Sequence, residues 1–305
     1  MSWFILRRTL SAGVVIFGVV TVIFVLSRLI GDPIALMIQP GMTVADIEEL
    51  RALWNLDAPI PEQFIRFLGS ALTGDFGLSI WQGQPALGLV LESLPATLLL
   101  TSAALLGALL LALVLGSLAA IKRDSMLDRT LMSLTLFGQS VPNFWLALML
   151  VLVVSVHFHL LPPAGYGTGS HLVLPAIALG LFPLARLTRL VRAELLDVLS
   201  QDYIRTARSK GIAPWLILVR HCLRNIAISL VTVIAVDFGT LMGGAVVTET
   251  IFAWPGMGRL MIDAISHRDF PIMQAGAFVV ALVVVLTSLI ADITYAIINP
   301  RIRYA

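Results

Sequence analysis

Residues 95–121 read PATLLLTSAALLGALLLALVLGSLAAI, an apolar run without a charged side chain. Such a run is long enough to cross the roughly 30 Å of bilayer hydrocarbon as a helix. Five further runs are long and predominantly apolar: Thr9–Ile30, Leu131–Val156, His171–Leu190, Ile226–Val247 and Ile272–Ile298. Over the 305 residues, 58% are hydrophobic and 12% charged, about half the charge content of a soluble domain. A soluble fold could not solvate such a surface. Within hydrocarbon every backbone polar group needs an internal partner, so the expectation is an all-α, polytopic membrane protein with six transmembrane helices.

The first run is read as a retained span rather than a secretory signal. Its apolar stretch, Thr9–Ser27, exceeds a signal's hydrophobic region, and Arg28, Gly31, Asp32 and Pro33 offer no small-residue cleavage site. The single cysteine, Cys222, excludes an internal disulfide and a cysteine metal cluster. The fourth run is the shortest uncharged one and carries Pro175 and Pro183. It is expected to be kinked, or to sink Arg186 and Arg189 into the interface by snorkelling.

Placing both termini in the cytoplasm makes a prediction about charge. Fifteen Lys and Arg residues then lie inside, and Arg28, Arg51, Arg66, Arg259 and Arg268 outside, which exhausts the 20 in the chain. The positive-inside rule supports that orientation. The expected division is a first transmembrane helix over 1–30, an external segment over 31–94, a transmembrane core over 95–298 with a cytoplasmic loop at about 191–225, and a cytoplasmic tail over 299–305. In the external segment, Val44–Leu53 reads as an amphipathic helix with Thr43 as its cap, Pro61–Leu72 as a second helix, and Gly74–Ser79 as a turn. A cap packed on the outer face is the simplest role for it.

Polar residues inside the apolar runs are few. Gly138-Gln139-Ser140-Val141-Pro142-Asn143 interrupts the third run, which signals a kink beside a cavity or a packed helix neighbour. Asp237 lies among apolar residues of the fifth run, and Asp292 lies in the sixth. Asp237 either belongs to a transport path or bonds to a neighbouring helix or subunit. Gly239, Gly243 and Gly244 permit close helix approach. His157 and His159 are two apart in an outer loop without a nearby acidic or thiol group, so interfacial solvation is favoured over metal binding. No metal site is expected. Residues 249–259, ETIFAWPGMGR, read as a turn-rich outer loop anchored by Trp254.

One polar, basic island stands out: residues 200–225, SQDYIRTARSKGIAPWLILVRHCLRN. Asp202 is expected to cap a helix from Tyr203 to Lys210, Gly211 to end it in the left-handed conformation, and Pro214 to start a second helix. Tyr203 and Ala207 share a face at i and i+4, while Arg205, Arg208 and Lys210 can pair with acidic groups of a partner or remain solvated at the lipid surface. Catalytic chemistry is not legible. The chain has no GxSxG, HExxH, GxGxxG or P-loop sequence, so no enzyme activity of its own is expected.

Arg205-Thr206-Ala207, then Gly211, then His221 with Leu223 and Arg224, resembles the cytoplasmic "EAA" loop of permease subunits of binding-protein-dependent ABC importers, in the dipeptide, oligopeptide and nickel branch. Arg205 and Thr206 stand where the general motif has Glu and Ala, and Arg224 where it has Pro. Gly31-Asp32-Pro33, Gly74-Asp75-Phe76-Gly77-x-Ser79, Leu94-Pro95-Ala96-Thr97, Phe252-x-x-Pro255-Gly256-x-Gly258-Arg259 and Asn299-Pro300-Arg301-Ile302-Arg303 resemble that branch in the same order. The resemblance implies a type I importer fold in a bacterial or archaeal cytoplasmic membrane. It implies a second homologous permease, two ATP-binding subunits that use ATP and Mg, and an external substrate-binding protein. Tyr203, Arg205, Thr206, Ala207, Arg208, Lys210 and Gly211 would then form the coupling helix that docks on an ATPase subunit. Gln139, Asn143 and Asp237 are candidates for the translocation path or a helix interface. No cofactor on the chain and no nucleic-acid partner is implied. Di- or oligopeptides are the expected cargo, with glutathione, nickel complexes or sugars as alternatives. The competing reading is an ion-coupled carrier or channel without ATPase partners.

Overall fold

A computed structural model describes residues 2–29, 43 and 58–298, with side chains over 7–26, 43 and 58–294. The helix expected at Val44–Leu53 and the motifs at 31–33 and 299–303 lie outside the described residues. Among the described residues the regular structure is helical, and one isolated pairing, Leu78 with Pro85, is the only β-type contact. The all-α expectation holds. Chain contacts divide the protein into two units, 1–96 with 256–286, and 97–255 with 287–305.

In the first unit, α1 (Ser2–Leu29) meets α2 (Ile60–Thr73) through aromatic rings. Phe64 stands 6.0 Å from Phe17 and 5.3 Å from Phe24, both edge-on. The series continues through Phe67 and Phe76 to Phe278. Helix α2 falls within one residue of its expected limits and stops at Gly74, whose φ of +76° is the left-handed closing conformation. The Gly-Asp-Phe-Gly-x-Ser signature then makes a tight turn: Asp75 Oδ1 accepts from the Gly77 N–H at 3.1 Å. Its serine reaches far along the chain. Ser79 Oγ donates to the fully buried Asp269 at 2.5 Å, and the Trp81 N–H adds a second bond to the same oxygen at 3.1 Å. Asp269 directly follows α10 (Met257–Ser266) and its turn, and its other oxygen accepts from Ile272 in the first turn of α11 (Phe270–Ile298). A buried carboxylate is stable only when so satisfied.

In the second unit the central element is α6 (Gly169–Leu199), packed against α4 (Met126–Ser140), α5 (Asn143–Leu150) and α9 (Leu223–Ile251). Helix α3 (Ala86–Ile121) approaches it at two glycines. A Cβ on Gly180 would lie 2.9 Å from the Ala104 carbonyl oxygen, and one on Gly116 would lie 2.8 Å from that of Thr188. Glycine therefore permits backbone contact between the two helices. A small core forms from Ala147, Leu174, Ala178 and Phe252.

Several span limits differ from the sequence reading. The third run is not one helix: α4 and α5, the latter continued by a π-helical turn over Val151–His157, are bent by 100°. The cause lies at Val141, extended at ψ 123°, and Pro142, which lacks the N–H needed to continue the ladder. Among the described residues, five helices are long and apolar enough to span a membrane, and the bent pair makes a sixth if counted as one. Helix α6 takes in Pro175 and Pro183 and runs nine residues past the expected end at Leu190. From α8 (Pro214–Ile217) a π-helical turn, Leu218–Cys222, leads straight into α9, so the fifth span and the second helix of the basic island form one 38-residue rod. Leu106, Leu110, Val114 and Phe137 face outward, as lipid-facing helices require.

Gly116→Val is expected to lower stability by about 1–3 kcal/mol through overpacking, because its new side chain meets the backbone of α6. Gly107→Ala, with nothing within 4 Å of the added carbon, is the matched control and is expected to be neutral. Thermal unfolding of the detergent-purified protein distinguishes the two.

Candidate functional site: the basic helix and the arginine face of α6

The basic island folds as expected in outline. Helix α7 (Asp202–Ser209) is followed by Lys210 and by Gly211 at φ +73°, and Pro214 opens α8. One detail is corrected. Gln201 occupies the capping position, and Asp202 is already the first helical residue, so its carboxylate supports the helix through the dipole of the first turn rather than as a cap. Lys210, Gly211 and Ile212 donate to the carbonyls of Thr206, Arg208 and Ala207, which closes the C-terminus.

Helix α7 has two faces. Ile204 and Ala207 are buried, three apart, and hold the helix to its own chain. Tyr203, Arg205, Thr206, Arg208, Lys210 and Gly211 are exposed. The apolar pair expected from Tyr203 and Ala207 is therefore divided: Ala207 turns inward, and only Tyr203 is presented. The Tyr203 hydroxyl also accepts from Asn225 Nδ2 at 2.8 Å, and Asn225 holds the His221 carbonyl at 2.9 Å. This ties α7 to the start of α9. The short helix is thus clamped between the end of α6 and the beginning of α9.

Helix α6 carries Arg186, Arg189 and Arg192 at intervals of three, which brings them to one face over a length of about 9 Å. Each has a partner on a different turn or helix. Arg186 Nη1 donates to Asp237 Oδ1 of α9 at 2.7 Å. Arg189 Nη2 donates to Gln139 Oε1 of α4 at 2.6 Å. Arg192 grips Asp128 of α4 with two bonds of 2.6 and 2.7 Å, a two-pronged guanidinium–carboxylate pair. Asp128 is 2% exposed and also accepts from the Asp124 N–H. Asp237 Oδ2 is buried without a hydrogen-bond partner among the described residues.

Of the three candidates in the apolar runs, two take part in this arrangement. Gln139 and Asp237 become partners of α6, while Asn143 starts α5 just past the break and is partly buried. Reading Arg186, Arg189 and Arg192 as positive-inside residues, with Arg186 and Arg189 snorkelling into the interface, missed their partners. The i, i+3, i+6 spacing of three arginines next to a run with isolated Asp and Gln residues on other helices was the available signal. Glu249 was also missed as a buried carboxylate: α9 continues to Ile251, and Thr97 Oγ1 donates to Glu249 at 2.6 Å with both residues fully buried. The loop after it shrinks to residues 252–256, where Trp254 is buried edge-on to Tyr166 at 4.8 Å.

These features define a multi-span membrane subunit built around an arginine-bearing central helix, with a short basic helix clamped outside the apolar spans. The model of the family described as "Binding-protein-dependent transport system inner membrane component" matches residues 112–304, and that of "Binding-prot-dependent transport system membrane comp, N-term" matches residues 1–101. The chain belongs to this family. The dipeptide transport system permease protein DppB of Escherichia coli (strain K12) is 36% identical over 337 residues, covering 100% of this chain and 99% of that protein. The oligopeptide transport system permease protein AppB of Bacillus subtilis (strain 168) is 38% identical over 316 residues, with all of both chains covered. The glutathione transport system permease protein GsiC of Escherichia coli (strain K12) is 36% identical over 302 residues, with 99% of each covered. A solved structure of the MetNI methionine ABC transporter in inward facing conformation matches with a TM-score of 0.58 at 18% identity, over 69% of this chain and 96% of that one. That likeness carries the fold. The family supplies what spacing alone left open: this is a multi-pass importer permease, of a kind that works with ATPase subunits and a substrate-binding protein.

Removing one member of the Arg186–Asp237 pair strands the other. Asp237→Ala is expected to destabilise more than the double variant Arg186→Ala/Asp237→Ala, with a coupling of about 1–2 kcal/mol in a thermal-unfolding cycle. Purely additive losses would show that the pair carries no net interaction.

Proposed function

We propose that this chain is the permease subunit of an ATP-driven importer for di- or oligopeptides or a closely related small solute, in a bacterial or archaeal cytoplasmic membrane. Both termini lie in the cytoplasm. The chain pairs with a second, homologous permease, receives cargo from an external binding protein, and couples to two ATP-binding subunits. Those subunits bind and hydrolyse ATP with Mg, and this chain has no catalytic site or cofactor of its own. The four-part division anticipated above applies: a first span, an external segment, a transmembrane core with its cytoplasmic loop, and a cytoplasmic tail.

The observation that carries the reading is the two-faced construction of α7. Ile204 and Ala207 fasten it inward, which leaves Tyr203, Arg205, Thr206, Arg208 and Lys210 free to meet a partner. An aromatic ring beside arginines is the composition of an interface anchor. Because Gln201, Ala207 and Asn225 bind α7 to the elements on both sides, a push on its outer face is passed to α6 and α9 together. Arg186 and Asp237 join those same two helices, so they would transmit the displacement as a unit. Gln139 and Asp237 accordingly serve a helix interface, with Asn143 at the flexing point between α4 and α5. The Dpp, App and Gsi relatives, by their names, carry dipeptides, oligopeptides and glutathione, and this is the basis for the peptide class.

The test is uptake in proteoliposomes. Accumulation of a labelled dipeptide should require ATP on the ATPase side and binding protein on the other, whereas uptake driven by an ion gradient with this chain alone would sink the importer reading. Gly211→Val forces a β-branched residue into the left-handed region, a strain of about 1–3 kcal/mol at the hinge of α7. ATP hydrolysis is expected to persist while uptake falls at least severalfold. Unchanged coupling in that variant would show that α7 is not the lever.

A further inference from the structure

At the ends of α3 and α6 the second unit encloses a half-open cavity of about 580 Å³. Its walls are Ile121 at the end of α3, Leu199 at the end of α6, and Trp215 and Leu218 of the α8–α9 rod. Arg123 and Arg208 are the two charged residues that line it, and no carboxylate does. The cavity volume is that of an ordinary small-molecule site, largely apolar with a few polar groups.

Three properties restrict what can enter. The cavity opens beside Ile121, where the uncharged run of α3 ends and Lys122 and Arg123 follow. Trp215 is 66% exposed there, in the position that indole side chains favour at a membrane interface. The positive groups are both guanidiniums, suited to bidentate contact with phosphate oxygens. Two carboxylates compete for Arg123: Asp128 attracts it, but is itself held by Arg192, and the Arg123 Nε lies 3.2 Å from Asp124, but both of those side chains are well exposed and such pairs are weak. The Ser200 hydroxyl is committed to the Asp197 carbonyl. Apolar walls and two guanidiniums beside the end of an apolar span suit a ligand with a hydrocarbon body and an anionic head.

We propose that this cavity is a binding site for an anionic phospholipid, with the acyl chain along Ile121, Leu199 and Leu218 and the phosphate between Arg123 and Arg208. Because Arg208 belongs to α7, the bound lipid would brace the coupling element against the membrane-spanning helices.

Native mass spectrometry of the complete purified importer tests this, with phosphatidylglycerol and phosphatidylcholine as probes. The wild-type complex is expected to retain phosphatidylglycerol and not phosphatidylcholine. Arg123→Ala should weaken retention about fivefold, the loss typical for one basic residue at an anionic bilayer surface. Asp124→Ala, which frees Arg123, should strengthen it. Leu199→Trp fills the apolar wall and should abolish it. Inorganic phosphate and glycerol phosphate supply the anion without the chain and should not compete. Equal retention of the two lipids, an unchanged signal in Arg123→Ala, or displacement by inorganic phosphate would each overturn the proposal. The last of these would assign the cavity to a soluble anion.

Discussion

An arginine on a membrane-embedded helix must find an acceptor, since neither lipid tails nor a bare apolar helix offers one. Helix α6 carries three, and the arrangement of the second unit follows from how each is answered. Asp128 and Gln139 come from α4, and Asp237 from α9. The partners fix the rotation of α6 about its axis and its register against two neighbours, which apolar packing between lipid-solvated helices specifies poorly. On the other side of α6, Gly116 of α3 and Gly180 of α6 itself let the backbones touch. One helix therefore has a polar face for orientation and a glycine face for close approach.

This arrangement connects the apolar spans to the basic loop around α7. The end of α6 leads within two residues into α7, and α7 leads through Gly211 into the α8–α9 rod. A displacement of α7 cannot be absorbed by slack connections, because the turns on both sides are short and hydrogen-bonded. The segment between α2 and α3 uses a comparable device within the first unit. Asp269, fully buried, gathers the Ser79 hydroxyl, the Trp81 N–H and the first turn of α11, and so gives the Gly-Asp-Phe-Gly-x-Ser signature its physical purpose.

Much of this was legible in the sequence, and the failures have common causes. Long uncharged runs identify membrane helices because hydrocarbon leaves the backbone few alternatives, so the all-α fold was readable from composition and length. Local signals worked where the physics is local: Gly74 and Gly211 stop helices through positive φ, and Pro214 starts one. Limits were misjudged where a helix continues past its apolar run, as α6 does past Leu190 and α9 does through Glu249, since a change in polarity does not end a helix. The position of the break at Val141-Pro142 was visible, but its 100° bend was not, because an angle depends on what each half packs against. Pairing was the least accessible feature. Asp128, Gln139 and Asp237 lie 50 to 64 residues from their arginines, and nothing local announces such contacts.

The central claim is that α7 faces the cytoplasm and is the contact through which ATPase subunits move this chain. Cys222, the sole cysteine, is buried, so Arg205→Cys places one exposed thiol on α7. The decisive measurement is the reactivity of that thiol in intact cells and its crosslinking in the assembled importer. The account predicts protection from a membrane-impermeant maleimide added outside, together with a short-range crosslink to an ATPase subunit. Labelling from outside, or a crosslink to the external binding protein instead, would contradict it.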